Sequence, residues 1–365
     1  MTAENTQEIE RLRKEIDAVD REIVGCIVRR SQLAQSVGKA KGTAPVYRPE
    51  REREVVERAL AENRRLGGLL PDSVLSTLYL EIVSACRALE ARPSVAYLGP
   101  QGTFTEMAVL KQFGSNIEAR PCESIDEVFH SAESGRTLYA VVPVENSSQG
   151  TVTRTMDLLF SSPLSIIGEV HIPIAHNLMN FTGKKEDIEV VSAHPQALAQ
   201  CRAWLGTHLP GVKTIPAASN AEAALEASKN PKMAAIAATR AAELYGLQIV
   251  SAGIQDDPRN RTRFLVLGHA VAAKGSAGSD KTSVVFSVPN RAGQLFHALE
   301  PLEKNGVSMM RLESRPARNG AWDYNFFVYV EGHATDAKVA QALAEMKEVS
   351  SFFKVLGSYP QAKDY

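Results

Sequence analysis

Ile9, Leu12, Ile16, Val19, Ile23, Cys26, Leu33 and Val37 follow one another at steps that add to a heptad. This spacing predicts one long helix over 9–41 with a narrow apolar seam, the kind that packs along another helix. The seam is broken once, at Arg30, while Arg13 and Lys41 stand one step off it. A guanidinium on an apolar seam is costly unless an anion meets it. The plainest explanation is a stem that snorkels or a carboxylate on a neighbouring helix. Gly42 and Pro45 break the first helix, Pro49 opens a second that runs through Glu62, and Gly67 and Gly68 close it. Pro71 opens a third, with Leu75, Leu78, Ile82, Ala85 and Leu89 on its expected buried stripe. Three helices of such unequal length cannot enclose a core, so the long one is expected to pair with a copy of itself.

The pattern changes at Pro93. Short apolar runs at 94–99, 139–144, 165–174, 189–192, 212–216, 233–238, 248–254 and 263–267 alternate with helical segments. Three of those helices open with capping boxes, Thr103/Glu106, Ser124/Glu127 and Ser219/Glu222. Such alternation predicts an α/β domain, here of two lobes with a cleft between them. AVAAKGSAGSD (270–280) reads as a flexible linker. Beyond it, segments 282–288, 294–304, 308–314, 325–331, 336–349 and 352–358 run β-α-β-β-α-β, a ferredoxin-like order. The expected organisation is therefore multidomain: all-α over 1–92, two-lobed α/β over 93–269, a linker over 270–280 and an α+β ferredoxin-like domain over 281–365.

Composition narrows the function. The chain has 365 residues, 23% charged, and a formal net charge of −1, which gives no general electrostatic case for nucleic acid or an anionic membrane. An anionic small molecule needs only a few placed cations, and remains compatible. Cys26, Cys86, Cys122 and Cys201 lie far apart with no C-x-x-C, so neither a disulfide framework nor a zinc site is expected, and a reducing cytoplasm fits. The charged start MTAENTQEIERLRKEID lacks a signal-peptide core, and no apolar run approaches the ~20 residues of a membrane span.

Leu12-Arg13, Arg29-Arg30, VGKAK (37–41), Arg51-Glu52 and SACRALE (84–90) resemble the all-helical chorismate mutase family across 1–92. The rearrangement of chorismate to prephenate is pericyclic. It needs a folded dianion and donors aimed at the breaking ether oxygen, with no cofactor or metal. The resemblance implies that Arg13, Arg30 and Arg51 grip carboxylates, that Lys41 donates to the ether oxygen and one carboxylate, and that Glu52 takes the ring hydroxyl. Cys86 stands where serine is common and Glu90 where glutamine is found, so Cys86 is a substrate-contact candidate and Glu90 a catalytic one. Glutamate donates only when protonated, so mutase turnover is expected to fall with rising pH. Arg48 replaces an acidic residue of some relatives and is given no role. Arg13 and Arg30 are separated by roughly 25 Å along a helix at 1.5 Å per residue. If Arg13 belongs to the site it comes from a second chain, antiparallel and crossing near Cys26, which predicts a homodimer with two composite sites.

GPQGTFTE (99–106), VPVENSSQGTV (142–152), HPQALAQC (194–201), ELYGL (243–247) and NRTRFLVLG (260–268) resemble the prephenate dehydratase family. The resemblance implies a two-lobed domain similar to periplasmic binding proteins. It places Thr262 at catalysis, with Thr103, Asn146, Gln200 and Arg263 binding substrate, and assigns no general acid. A serine often precedes the histidine of the HPQ motif, where this chain has Ala193 after Ser192. Residues 281–365 resemble ACT regulatory domains: Glu313-Ser314-Arg315-Pro316 is intact, while a second motif reads Gly293-Gln294-Leu295-Phe296. The implied effector is L-phenylalanine, bound between paired ACT domains. Together these expectations describe a cytoplasmic, cofactor-free enzyme that makes phenylpyruvate from chorismate under phenylalanine inhibition. The rival from another class is a ligand sensor whose α/β domain binds an anion without reacting, and an intermediate reading keeps only one of the two activities.

Overall fold

The structure is a computed structural model, described over residues 3–42, 45–275, 280–316 and 324–362. The N-terminal domain is α1 (Ala3–Lys41), α2 (Pro49–Arg65) and α3 (Asp72–Ala88). Gly42, at φ +62°, ends α1 in a left-handed turn. The far part of α1 projects away from the rest of the chain, and the seam residues Ile16, Ile23 and Leu33 are 58%, 50% and 61% exposed. On α3 the expected stripe is rotated: Leu78, Ala85 and Leu89 are exposed, and Val83, Ser84, Cys86 and Arg87 are buried. The helix turns this face inward because Arg87 carries an ion pair and a tie to the next domain there.

The middle domain has two lobes. The first is built from β1 (Ser94–Leu98), α4 (Phe104–Phe113), β2 (Glu118–Cys122), α5 (Ile125–Glu133), β3 (Tyr139–Asn146), β4 (Gly150–Thr151), α6 (Thr153–Ser161) and β5 (Ser165–Pro173). The chain crosses to the second lobe with β6 (Asn177–Asn180), β7 (Val190–Ala193), α7 (Pro195–Gln200), α8 (Arg202–His208), β8 (Lys213–Pro216), α9 (Asn220–Ala227), β9 (Met233–Ala237), α10 (Thr239–Tyr245) and β10 (Gln248–Ser251). It then returns as β11 (Arg261–Gly268), which inserts between β3 and β5. The sheet orders are β2-β1-β3-β11-β5 and β10-β6-β9-β7-β8. The three capping boxes form as expected, with Thr103, Ser124 and Ser219 accepting from the N–H of Glu106, Glu127 and Glu222. In the second lobe, alanines at 221, 223, 224 and 227 let α9 lie close on the alanine-rich β9.

The C-terminal domain comprises β12 (Asp280–Val288), α11 (Gln294–Lys304), β13 (Met309–Pro316), β14 (Tyr324–Glu331), α12 (Ala337–Val349) and β15 (Phe352–Pro360), in sheet order β13-β14-β12-β15 and antiparallel throughout. It is docked on the first lobe. Val285, Phe327, Leu356 and Tyr359 share one core with Val142, Leu159, Ile166 and Leu265. Gly357 permits this, since a Cβ there would fall 2.1 Å from the Ile166 carbonyl oxygen. Lys354 Nζ donates to the carbonyls of Leu159 (2.9 Å) and Ser162 (2.6 Å) at the end of α6. The expected flexible linker is tied down at several described points: Ala272 is buried, Gly275 N–H donates to Asp280 Oδ2 at 2.8 Å, and Asp280 itself belongs to β12. Among the described residues no helix is long and apolar enough to cross a membrane.

Candidate active sites

In the helical domain the first turn of α2 turns Glu52 inward. Both its oxygens accept from Arg87 Nη1, at 2.5 and 2.6 Å. The Arg87 side chain is 3% exposed, lies against the Tyr47 and Phe113 rings, and donates through Nη2 to the Phe113 carbonyl of the middle domain. Burial pushes the Glu52 carboxyl up, and Arg87, Arg30 and Lys41 pull against it, so the two α1 cations face this carboxylate. Lys41 Nζ is 3.8 Å from Glu90 Oε2 just beyond α3. Gly38 makes room for that residue, because a Cβ would come 2.7 Å from Glu90 Cγ. Cys86 Sγ lies 3.4 Å from Ser31 Oγ on the same side of α1. Arg30, Lys41, Glu52, Cys86 and Glu90 are thus gathered along one stretch of α1.

Two expected members are not with them. Arg13 is on the projecting part of α1. Arg51 pairs with Glu54 at 2.9 Å and is 53% exposed. Successive helix residues are turned by about 100°, so α2 cannot bury Glu52 and present Arg51 at the same place. Arg87 is the participant that the sequence reading passed over. Its signal was an arginine three residues before the candidate Glu90 and in the same turn as buried Cys86.

Between the two lobes lies a cavity of about 1000 Å³, lined among others by Thr103, Asn146, His176, Gln200, Thr262 and Phe264. Asn146 and Thr262 are register partners on β3 and β11. The Asn146 amide is fixed at both ends. Its Oδ1 accepts from the Ser148 and Gln149 N–H groups at 3.0 and 3.2 Å, and its Nδ2 donates to Thr262 Oγ1 and Asn260 Oδ1, each at 2.9 Å. Thr262 therefore accepts from Asn146, which leaves its hydroxyl proton for a ligand. Thr103 caps α4 and still lines the cavity. The two lobes meet at Gly102 (φ +85°), whose added Cβ would sit 3.3 Å from Ala241 on α10. Gln200 Oε1 is 2.8 Å from His176 Nε2. Ser192 is fully buried in β7.

Arg263 does not line the cavity. Neighbouring strand residues point to opposite faces, so with Thr262 and Phe264 toward the cleft, Arg263 faces away. There it meets Glu145 (Nε–Oε2 3.2 Å) and Glu169 (Nη1–Oε2 3.6 Å), and stacks 4.6 Å from the Tyr329 ring centroid of β14. Lys281 joins Glu169 at 2.5 Å, and Arg311 joins Glu145. The residues next to Thr262 and Asn146 are thus held by the C-terminal domain.

In that domain Gly293 (φ +81°) caps α11, whose first turn holds Gln294 and Leu295. Glu313, Ser314 and Arg315 lie on the edge strand β13. The register sets Val288, Tyr324 and Pro316 side by side, so both motifs lie at one end of the sheet, about 10 Å apart across β14. Arg315 reaches Thr153 Oγ1 (3.0 Å) and Asp157 Oδ1 (3.5 Å) on α6. Phe296 is 67% exposed beside this end. Among the described residues no group of His, Cys, Asp and Glu could hold a metal ion.

Family models match the chain in three consecutive stretches: chorismate mutase type II over 12–91, prephenate dehydratase over 95–272 and the ACT domain over 282–348. A bifunctional chorismate mutase/prephenate dehydratase of Neisseria gonorrhoeae is 46% identical over 353 residues, 96% of each chain. The protein of the same description from Aquifex aeolicus is 44% identical, over 98% of this chain and 99% of its own. Among solved structures, the prephenate dehydratase of Arthrobacter aurescens in complex with L-Phe is 36% identical, covers 73% of this chain and 89% of its own, and superposes with a TM-score of 0.67. The chain belongs to the bifunctional chorismate mutase/prephenate dehydratase family, an enzyme with both activities followed by an ACT regulatory domain.

Proposed function

We propose that the chain works in the cytoplasm as a homodimer, paired through α1 and the ACT domains, and that L-phenylalanine restrains the flow from chorismate to phenylpyruvate. The observation that carries the mutase half is the cluster of Arg30, Lys41, Glu52 and Glu90 on one wall, incomplete in a single chain. In this reading Arg30 and Arg13 of the second copy hold the two carboxylates of chorismate. Lys41 and Glu90 meet the ether oxygen, Glu52 takes the ring hydroxyl, and Cys86 packs beside it. Arg51 contributes charge from the rim. Glu90→Gln, whose amide donates at any pH, is expected to change the mutase pH–rate profile. An unchanged profile in that variant removes Glu90 from the ether oxygen.

The carrier of the dehydratase half is the Asn146–Thr262 pair, which aims a hydroxyl proton into the cavity. Prephenate lies there with Gln200 and the Thr103 end of α4 against its carboxylates, and Thr262 polarises the leaving hydroxyl. The effector sits at the motif-bearing end of the ACT sheet. Gly293, Gln294 and Leu295 give backbone approach, and Glu313, Ser314 and Arg315 of the neighbouring copy complete the pocket. Arg30→Ala is expected to lower mutase kcat/KM by at least about 100-fold while dehydration is retained, and Thr262→Ala to do the reverse. The readouts are chorismate loss and phenylpyruvate absorbance. Loss of both activities from either variant, still folded, overturns this division of labour.

A further inference from the structure

Dehydration of prephenate consumes one proton. The substrate is a dianion, and the products are a monoanion, carbon dioxide and water. The bond from the ring to its carboxylate breaks and its electron pair enters the ring as that becomes aromatic. The ring C–O bond breaks with its pair on oxygen, and a proton must meet that oxygen to release water. An alcohol such as Thr262 polarises the oxygen but is a poor proton source. Other titratable groups line the cavity, Glu123 and Cys122 among them, and three of these are already engaged or shifted. Glu222 accepts the Ala218 N–H, His194 Nδ1 accepts the Gln196 N–H, and burial pushes the Tyr245 phenol up.

We propose that His176 carries the proton of the dehydration, with Nε2 held by Gln200 and Nδ1 left for the leaving hydroxyl of the substrate. This rests on the cavity being the dehydratase site. His176 lies in the crossing between β5 and β6, on the floor between the lobes, and is 2% exposed. Its backbone is pinned on both sides: its N–H donates to Gln255 Oε1 at 2.9 Å and its carbonyl accepts from the Ile254 N–H at 2.8 Å. The ring is set edge-on to Phe104, 5.6 Å between centroids. Nε2–H donates to Gln200 Oε1 at 2.8 Å, which fixes the tautomer and leaves Nδ1 without a proton. Nδ1 and Gln200 Nε2 are both enclosed and both lack a protein partner. One unpaired acceptor and one unpaired donor, on two cavity-lining residues that hydrogen-bond to each other, are a cost that a substrate with a hydroxyl and carboxylates relieves.

Proton supply follows from the same surroundings. Burial lowers the proton affinity of the free imidazole, so the empty site holds it neutral. The groups that face it, Gln200 from α7, Phe104 from α4 and Gln255 from the return crossing, do not ionise. The charge that decides its state is the substrate's own. A bound dianion favours imidazolium, Nδ1 takes a proton from solvent on binding, and passes it to the leaving oxygen as the C–O bond opens. The neutral ring is restored with the departure of water and carbon dioxide.

The test is His176→Gln in the full-length chain, which keeps an amide donor for Gln200 but cannot carry a proton. Dehydratase kcat is expected to fall at least about 100-fold with KM changed less than about threefold, mutase turnover unaffected, and the alkaline decline of wild-type dehydratase kcat absent from the residual activity. A kcat within about threefold of wild type, or a residual activity with the wild-type alkaline limb, overturns the proposal. If His176→Gln also loses mutase turnover, His176→Asn is judged by the same two criteria. Wild-type enzyme that converts no prephenate refutes the dehydratase reading of the cavity and not the assignment within it.

Discussion

Mixing an Arg13→Ala chain with an Arg30→Ala chain restores mutase activity to about a quarter of wild type, although each variant alone keeps no more than about one-hundredth. The expectation follows from the length of α1. Arg13 and Arg30 stand seventeen residues apart on one straight helix, about 25 Å at 1.5 Å per residue, beyond the span of one chorismate. Arg30 shares its stretch of helix with Lys41, Glu52 and Glu90, and Arg13 shares its stretch with none of them. A second α1, antiparallel and crossing near Cys26, carries its own Arg13 to this cluster and covers Ile16, Ile23 and Leu33, whose exposure in one chain is that of an unpaired coiled-coil seam. In a mixed dimer one site receives both lesions and the other receives neither. Half of randomly exchanged dimers are mixed, and each has one intact site of two, hence the quarter. Activity of the mixture is measured after subunit exchange. Adding Ile23→Asp to both chains abolishes the recovery, because a carboxylate on each copy would be buried in the seam. A mixture no more active than its parts, or an Arg13→Ala chain active by itself, removes the composite site.

The sequence made α1 legible because a heptad seam is a long-range pattern that leaves few alternatives, and Arg30 was visible as its one break. The same reasoning went astray wherever adjacent residues were treated as one motif. Arg51-Glu52 and Thr262-Arg263 were each read as pairs acting together. A strand turns consecutive residues 180° apart, so only one of Thr262 and Arg263 can face the cleft, while the 100° step of a helix carries Arg51 to the rim beside Glu52. That rule needs no structure, and applied to Arg263 it separates it from Thr262 and groups Thr262 with Phe264. The stripe on α3 was misjudged for another reason. Its inner face is polar, with Ser84 and Arg87 buried, so an apolar count selects the wrong side. The strands β2 and β6 give no sequence signal because one is a largely exposed edge containing Pro121, and the other is bounded by Asn177 and Asn180, residues common in turns, whose amides here bond to the Ala237 carbonyl and the Gly183 N–H. His176 had no local signal at all. Its meaning comes from Gln200, twenty-four residues away and in the opposite lobe.

Glu169→Ala is expected to lower the melting temperature of the dehydratase–ACT unit by roughly 10 °C and to make dehydration insensitive to phenylalanine. Glu169 is 2% exposed and is the anion on which Lys281 (2.5 Å), Arg263 (3.6 Å) and the Ala362 N–H (2.9 Å) converge. Deleting it leaves two buried cations short of a partner, a cost of about 3–5 kcal/mol. Burial by itself would raise the Glu169 carboxyl, but Lys281, the Ala362 N–H and Arg263 outweigh it and hold the carboxyl below its ordinary value. For Glu145 too burial raises and the contacts prevail, here Arg311 and Arg263. A carboxyl lowered on folding stabilises above its unfolded pKa of about 4.3, and that stability is lost as pH falls through the folded value. The docked ACT domain should therefore loosen in acid. The difference in melting temperature between wild type and Glu169→Gln should be large at neutral pH and shrink below about pH 4. Equal melting temperatures at neutral pH would sink this account. The link to control is positional. Glu145 precedes Asn146 on β3 and Arg263 follows Thr262 on β11, so the strand positions that set the Asn146–Thr262 pair are gripped from behind by Lys281, Arg311 and Tyr329 of the ACT domain. An effector that shifts β13 or β14 would pull on those grips, and the Asn146–Thr262 hydrogen bond, at 2.9 Å in this arrangement, is the contact through which such a shift would reach a ligand in the cavity.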